Sequence, residues 1–468
     1  MNTFEAIYER RAARVFDPDK KIPPAAMERI LETACMAQCT PDGIWPWKLI
    51  VVRDADTKAL IANCAEETAR LIFGGSYEIF SEHMWYMPKD TRLRVAEYTT
   101  SGELWRYPID ADVVVIPVLS RGGWRAGLAS LLPHREQLAP YLGFAAENMW
   151  LAATTYGIGA GFNAMPMQDV RRREVLHEFL GVPPSWESNG AFAFGHSPSA
   201  RSGGPSRTPL EGVVFTGTWG SSYKKLAFTE GFADIKIPEV ELIQAMGNPN
   251  LVKGFAPGRI EPWKLERVID AGIWGPTPEN AKNWRFIVVK DKETKEFLYS
   301  LVNERKHTPF YYNDAETQHA RFWYLSPSDR MAKIEEALDE GIGRWYLEAD
   351  TLIVAVSALY NWLEMPHAEY TSSARNPNYP VATGCSVQNM MIAATALGLG
   401  VNFDPTPIGD PRDKETFCDY FGIPPSWQPI GVLSLGLPGA PLERPPQPRV
   451  EDVAFEEYWG NPYKKVVA

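Results

Sequence analysis

The sequence predicts an α+β fold, built twice. Two observations carry this. First, Trp219-Gly220-Ser221-Ser222-Tyr223-Lys224-Lys225 returns 240 residues later as Trp459-Gly460-Asn461-Pro462-Tyr463-Lys464-Lys465. Gly181-Val182-Pro183-Pro184-Ser185-Trp186 returns 241 residues later as Gly422-Ile423-Pro424-Pro425-Ser426-Trp427. Trp47-Lys48-Leu49-Ile50-Val51-Val52 returns 237 residues later as Trp284-Arg285-Phe286-Ile287-Val288-Val289. Ordered matches at nearly one offset indicate a duplicated domain, and so long a period is a whole globular unit rather than a solenoid module. Second, each half carries few strand patterns among many helical ones, without regular βαβ alternation, which indicates α+β layers. A chain of 468 residues exceeds one ordinary core, and two units fit the usual domain range. The expected domains are residues 1–225 and 241–468, joined by a linker over 226–240. Such a chain is a homodimer in one polypeptide, free to diverge into an asymmetric pair.

Each element has its own signal. Phe4, Ile7 and Tyr8 fall at i, i+3, i+4 and predict a helix over 3–14, with Arg10, Arg11 and Arg14 toward its end. Pro23-Pro24 opens a second helix striped by Met27, Ile30, Leu31 and Ala34, and its counterpart runs from Pro262 through Leu265, Val268 and Ile269. Each leads through a loop to a strand, Leu49–Val52 or Phe286–Val289. Asp54-Ala55-Asp56-Thr57-Lys58 and Asp291-Lys292-Glu293-Thr294-Lys295 then start further helices. The apolar runs Val113–Leu119 and Leu352–Leu359 read as buried strands. Long apolar helices, Phe144–Tyr156 and Val387–Leu397, stop at Gly157-Ile158-Gly159 and Gly398-Leu399-Gly400, where glycine also permits close backbone approach. A last strand in each half, Ala191–Gly195 or Gly431–Gly436, precedes a tail with Pro and Arg.

Composition narrows the function. The formal charge is −11 with no basic run, which argues against nucleic acid and anionic membranes as partners. No apolar stretch approaches the roughly 20 residues of a membrane span, and the first residues lack a signal-peptide layout. Five cysteines form no framework, and the seven histidines are scattered, so no metal site is expected and a reducing cytoplasm is the expected location. Aromatic residues reach 12% and crowd into Phe73 to Tyr107 and Phe310 to Tyr346. Core filling accounts for most buried aromatics, and an aromatic-walled pocket is the sharper alternative. Among these residues Trp85, Tyr86, Trp105, Phe322, Trp323, Tyr324, Trp345 and Tyr346 are lid candidates; so are Trp124 and Trp362, which precede the long apolar helices.

The chemistry-bearing pattern is cationic. If residues 3–14 are one helix, Arg10 and Arg14 share a face at i, i+4, where like charges repel unless an anion lies between them; a solvated basic patch is the plain alternative. Arg207-Thr208-Pro209-Leu210-Glu211 adds a cation after the last strand. The ordered set is an apolar helix ending Arg-Arg-x-x-Arg-x-Phe, an Ile-Pro before the next helix, Trp-Lys/Arg then an apolar strand, a helix with Ala-x-Glu/Gln-Asn and Gly-x-Gly, and a closing Arg-Thr-Pro-Leu-Glu. It resembles the FMN-dependent nitroreductase family, and the resemblance covers both halves.

The resemblance implies two domains, each a mixed or antiparallel sheet flanked by helices, intertwined as an internal pseudo-dimer. It implies FMN held between the halves, one half giving a cationic clamp and the other a Pro-Ser-x-x-Asn loop. The first half keeps Arg10, Arg11, Arg14 and Arg207, with Ala12 in place of the family's serine, but its loop Cys39-Thr40-Pro41-Asp42-Gly43 lacks the asparagine. The second half is the reverse. Pro276-Thr277-Pro278-Glu279-Asn280 is intact, while Pro249, Asn250 and Lys253 replace the arginines and Arg449 remains near the tail. One complete site and one damaged site follow, hence one FMN per chain. Arg10, Arg11 and Arg207 would take the phosphate. Arg14 would stabilise the negative charge of the reduced ring, as the electrostatic element of a site with no side-chain nucleophile, with phosphate binding as its alternative role. The backbone at Phe162, Asn163, Ala164 and Met165 would border the ring, with Pro276, Thr277, Asn280 and Cys385 closing the other side. Replacing Arg10 and Arg11 together by Ala is expected to empty the site and leave the fold intact. The expected activity is NAD(P)H-driven, ping-pong reduction of an aromatic or planar small molecule such as a nitroaromatic or quinone. The alternatives are a dehalogenase or desaturase on the same site, a flavin-binding protein without turnover, and a structural pseudo-enzyme that binds no flavin, against which the four arginines of the first half argue.

Overall fold

The computed structural model describes residues 1–465 except 42, 76, 78–87, 122–133, 199–208, 224–238, 279–281, 304–321, 341–342, 360–377 and 410. The first half contributes β1 (Trp47–Val52), β2 (Val113–Ser120), β3 (Gly159–Asn163), β4 (Trp186–Ser188), β5 (Ala191–Gly195) and β6 (Val214–Thr216). The second contributes β7 (Phe255–Ala256), β8 (Trp284–Val289), β9 (Thr351–Ala358), β10 (Gly400–Asp404), β11 (Trp427–Pro438) and β12 (Ala454–Glu456). They form two sheets, ordered β12-β1-β2-β5-β3 with β4 on β2, and β10-β11-β9-β8-β6 with β7 on β11. Neighbours are antiparallel except at one edge of each sheet, where β12 runs parallel to β1 and β6 parallel to β8. Both sheets are therefore mixed, as expected.

Those parallel edges are exchanged. The first half's tail strand β6 completes the second sheet, and the second half's β12 completes the first. The motifs that betray the duplication make the clasp. Trp219 donates its backbone N–H to Phe421 O and packs on Trp427, centroids 5.1 Å apart; Trp459 donates to Leu180 O and packs on Trp186 at 5.1 Å. Beyond each Trp-Gly a tyrosine is buried beside a helix of the other half. Tyr463 Oη donates to Glu28 at 3.0 Å, and burial with that carboxylate pushes its pKa to about 12. Burial, then the Glu266 carboxylate, push Tyr223 up likewise.

Between the sheets lie two long central helices, His134–Thr155 and Asn378–Ala396. They cross at matched glycines. A Cβ on Gly143 would stand 2.2 Å from Val381 O, and one on Gly384 would stand 2.5 Å from Pro140 O, so the backbones meet directly. The largest apolar core joins the halves and takes Leu49, Val51, Val113 and Val115 from one sheet with Phe286, Val288, Ile353 and Ala355 from the other. The alternate residues, Ile50, Val114 and Ile116, or Ile287, Leu352 and Val354, fill separate outer cores. Both faces of each sheet are thus covered, which is why these strands read as unbroken apolar runs.

The helix starts follow their signals. Asp54 and Asp291 accept from the N–H groups of Thr57 and Thr294, and the following Lys58 and Lys295 are buried and donate to Ala111 O and Ala349 O. Gly157 (φ 68°) and Gly398 (φ 72°) end the central helices in the left-handed region. The glycines after them open β3 and β10, strands the sequence pattern did not announce. One expectation fails. The first helix is Thr3–Glu9, not 3–14, because Arg10 leaves helical geometry (ψ 128°) and the chain is captured by the edge of β3. Arg10 and Arg14 therefore share no helix face. The linker expected over 226–240 lies almost wholly outside the described residues; at its end, Val240 O accepts from Thr3 N at 2.9 Å. No helix among the described residues is long and apolar enough to cross a membrane.

Candidate functional site between the halves

The clamp segment is an added strand. Ala12 bridges Ala160 in parallel, and Ala13 N donates to Ala160 O at 2.9 Å. The approach is so close that a Cβ on Gly161 would stand 2.0 Å from Ala13 O. The second half repeats the arrangement, with Leu251 on Val401 and Val252 N donating to Val401 O at 3.1 Å. Pro249, Asn250 and Lys253 thus occupy the places of Arg10, Arg11 and Arg14.

Arg10 turns inward. It is 4% exposed, its Nε lies 3.4 Å from Oε1 of the fully buried Glu147, and it stands over the Trp150 ring at 4.7 Å. It also crosses to the other half, donating to Trp274 O at 2.9 Å. Arg11 is half-buried, donates to Tyr8 O and Arg10 O, and lies 5.6 Å from the Trp274 ring; burial, then the charge of Arg10, hold its pKa below the ordinary value. Ala12 and Arg14 are exposed. Tyr8 reaches across to Asp270 at 2.7 Å. These bonds fix the end of the helix Pro262–Ile273 against the clamp, and the loop with Pro276 and Thr277, both partly exposed, leaves from there.

Cys385 sits on the central-helix crossing, where Sγ donates to Gly143 O at 3.3 Å. Burial foremost, then the charge of Glu147, raise its pKa well above the usual thiol value, so it is an unreactive packing residue that also feels Arg10. Along β3, Phe162 and Ala164 are partly exposed. The Asn163 side chain is spent internally, donating to Trp105 O at 2.7 Å and accepting from Met165 N at 3.1 Å, and Met165 packs with Phe73 and Trp105. Arg207, Asn280, Trp124 and Trp362 lie outside the described residues. Of the aromatic lid candidates, Trp105, Phe322, Trp345 and Tyr346 are core residues, and Trp85 and Tyr86 are not described.

The matching junction on the other side is shut. Gln38 directly precedes the loop that matches Pro276-Thr277-Pro278, and its Nε2 donates to Phe403 O at 2.9 Å, tying the first half's loop onto β10. Gln38, Cys39, Thr40, Leu251, Phe403 and Thr406 are all buried, whereas their counterparts around Arg11 and Pro276 include the exposed Ala12 and the partly exposed Phe162 and Thr277. Trp323 adds a bond from its indole N–H to Gly43 O at 3.2 Å. Arg449 is exposed and forks onto Asp452 of its own short helix.

Phosphate and a planar ring with carbonyl oxygens need cations, backbone edges and an unfilled gap. The first junction has Arg11, Arg14 and the partly exposed Phe162, Ala164, Pro276 and Thr277, so its residues fit FMN; the second has no arginine in its clamp segment, and its Gln38, Leu251 and Phe403 are buried. Among the described residues no cluster of His, Cys, Asp or Glu could hold a metal ion.

Comparison with known proteins agrees with this duplication. The sequence profile of the Nitroreductase family matches residues 7–196 and again 252–437. DrgA of Synechocystis sp. is 26% identical over 217 residues, covering 45% of this chain and 93% of its own length. YdgI of Bacillus subtilis, whose name marks it as a presumed NAD(P)H nitroreductase, is 22% identical over 198 residues, 42% of this chain and 88% of its own. Among solved structures, a nitroreductase with bound FMN from Desulfitobacterium hafniense is 18% identical with a TM-score of 0.31, covering 45% of this chain and 95% of that one. With both halves matched by its profile, the chain belongs to the nitroreductase family, as a tandem pair of its domains.

Proposed function

We propose that the chain is an FMN-dependent oxidoreductase, reduced by NAD(P)H, that binds one FMN at the open junction and reduces an aromatic or planar small molecule. The observation that carries the reading is the contrast between the junctions. One keeps arginines and partly exposed walls from both halves, while the other is bonded shut by Gln38 on Phe403 O.

When bound, FMN supplies the centre that takes up and gives out hydride and electrons. The chain's residues bind and orient. Arg11, with Arg207, supplies guanidinium donors for a phosphate. Arg14 places positive charge where the reduced ring is negative. Phe162 and Ala164 form one wall, and Pro276, Thr277 and Asn280 the other. Arg10 acts from behind, holding the two walls in register through Glu147 and Trp274 O. With one junction, donor and acceptor use it in turn, which gives ping-pong kinetics.

The purified protein reconstituted with FMN should hold about one flavin per chain, bleach with NAD(P)H and recolour with a nitroaromatic or quinone. A ratio of two refutes the asymmetry. No flavin at all refutes the site.

A further inference from the structure

We propose that the Tyr107 hydroxyl is a second donor, beside Arg14, to the oxygen edge of the flavin pyrimidine at the open junction. The proposal rests on the FMN reading above. Tyr107 begins a short 3-10 turn, Tyr107–Ile109, just before β2. Its side chain is 5% exposed, and its hydroxyl is buried without a hydrogen-bond partner. Leaving such a group unsatisfied is costly in a folded protein, so a ligand that satisfies it explains its retention.

Its surroundings are those of the clamp. The ring edge lies 3.3 Å from where a Cβ on Gly161 would stand, and the ring centroid is 6.2 Å from that of Phe16, two residues past Arg14. Ala13 belongs to the same cluster. Arg14 is exposed, its charge reaches the phenol, and among the described residues no hydrogen bond or ion pair engages it. Burial pushes the phenol pKa upward, so the group stays protonated and can donate. A donor without an acceptor beside a cation without an anion suits one oxygen carrying negative charge, as the C2 carbonyl and N1 edge of a reduced flavin does.

The equivalent place in the second half, 238 residues on by the pairing of Ala111 with Ala349, holds Trp345, a buried aromatic without a hydroxyl.

The test is Tyr107→Phe, compared with wild type for FMN affinity, for the midpoint potential of bound FMN and for thermal stability of the flavin-free protein. The expected results are FMN binding weaker by about three- to tenfold, a lower potential because the reduced form loses a donor, and a flavin-free melting temperature unchanged or raised. Equal affinity and potential in both proteins overturn the assignment. A flavin-free variant that melts earlier also overturns it, by marking the residue as packing. Wild type that takes up no FMN overturns this proposal together with the site reading, and is distinguished by appearing before any variant is made.

Discussion

Arg10→Ala should destabilise the protein by about 3–5 kcal/mol, the cost of breaking a buried ion pair by removing one partner. The magnitude follows from the site. Arg10 is 4% exposed, Glu147 fully buried, and the closest approach is 3.4 Å. At the effective dielectric suited to protein sites, that separation corresponds to an attraction of about 5 kcal/mol, largely spent on desolvation while both partners are present. Removing the guanidinium takes this ion pair from the buried Glu147 and also deletes the bond to Trp274 O. The second half shows how the loss can be accommodated. Pro249 stands in the place of Arg10, and Gln388, in the place of Glu147, donates from Nε2 to Asn148 Oδ1 at 2.8 Å. Adding Glu147→Gln to Arg10→Ala should therefore recover about 2 kcal/mol or more. Urea denaturation of wild type, both single variants and the double variant closes the cycle. An Arg10→Ala variant within about 1 kcal/mol of wild type, or a double variant no more stable than Arg10→Ala, would refute the reasoning. This burial also revises the expectation that replacing Arg10 and Arg11 together empties the site with the fold intact; Arg11→Ala alone is the cleaner perturbation.

Two further outcomes are expected. Gly161→Ala puts a methyl group 2.0 Å from Ala13 O and should lift the clamp segment off β3, lowering FMN affinity by at least about tenfold; equilibrium flavin binding reads this, and unchanged affinity would show that the clamp does not depend on that contact. Co-expressed fragments 1–225 and 241–468 should copurify and take up FMN, because the clasp, the helix crossing and the shared core all bridge the halves; fragments that fold and stay monomeric would contradict the shared core.

Much of this architecture was legible because its signals are local or repeated. Asp54 and Asp291 cap where their spacing from Thr57 and Thr294 says they should. The strands around Leu49, Val113, Phe286 and Leu352 are long apolar runs, and the fold buries both faces of each. What escaped was short or non-local. β6 and β12 have three residues each, too few for a period, and each pairs with a strand of the other half. β3 and β10 hide behind glycines that the helix end also requires.

The candidate site divides in the same way. The loss of three arginines from one clamp and of an asparagine from the other loop is written in the sequence. The direction of each side chain is not. Arg10 and Arg11 are adjacent and chemically identical, yet Glu147, from a helix far along the chain, draws only Arg10 into the interface. Tyr107 had no motif, and only its burial beside Arg14 without a partner singled it out.

By itself the sequence determined that there are two copies, where their strands and helices run, and which copy kept which half of a nucleotide-binding set; periodicity and residue identity are properties of the chain. Tertiary structure alone decided that the tails are exchanged, that one junction is shut by Gln38 and that Arg10 faces inward. Those outcomes depend on which groups meet across hundreds of residues, and burial then makes each polar group take the partner that lies within reach.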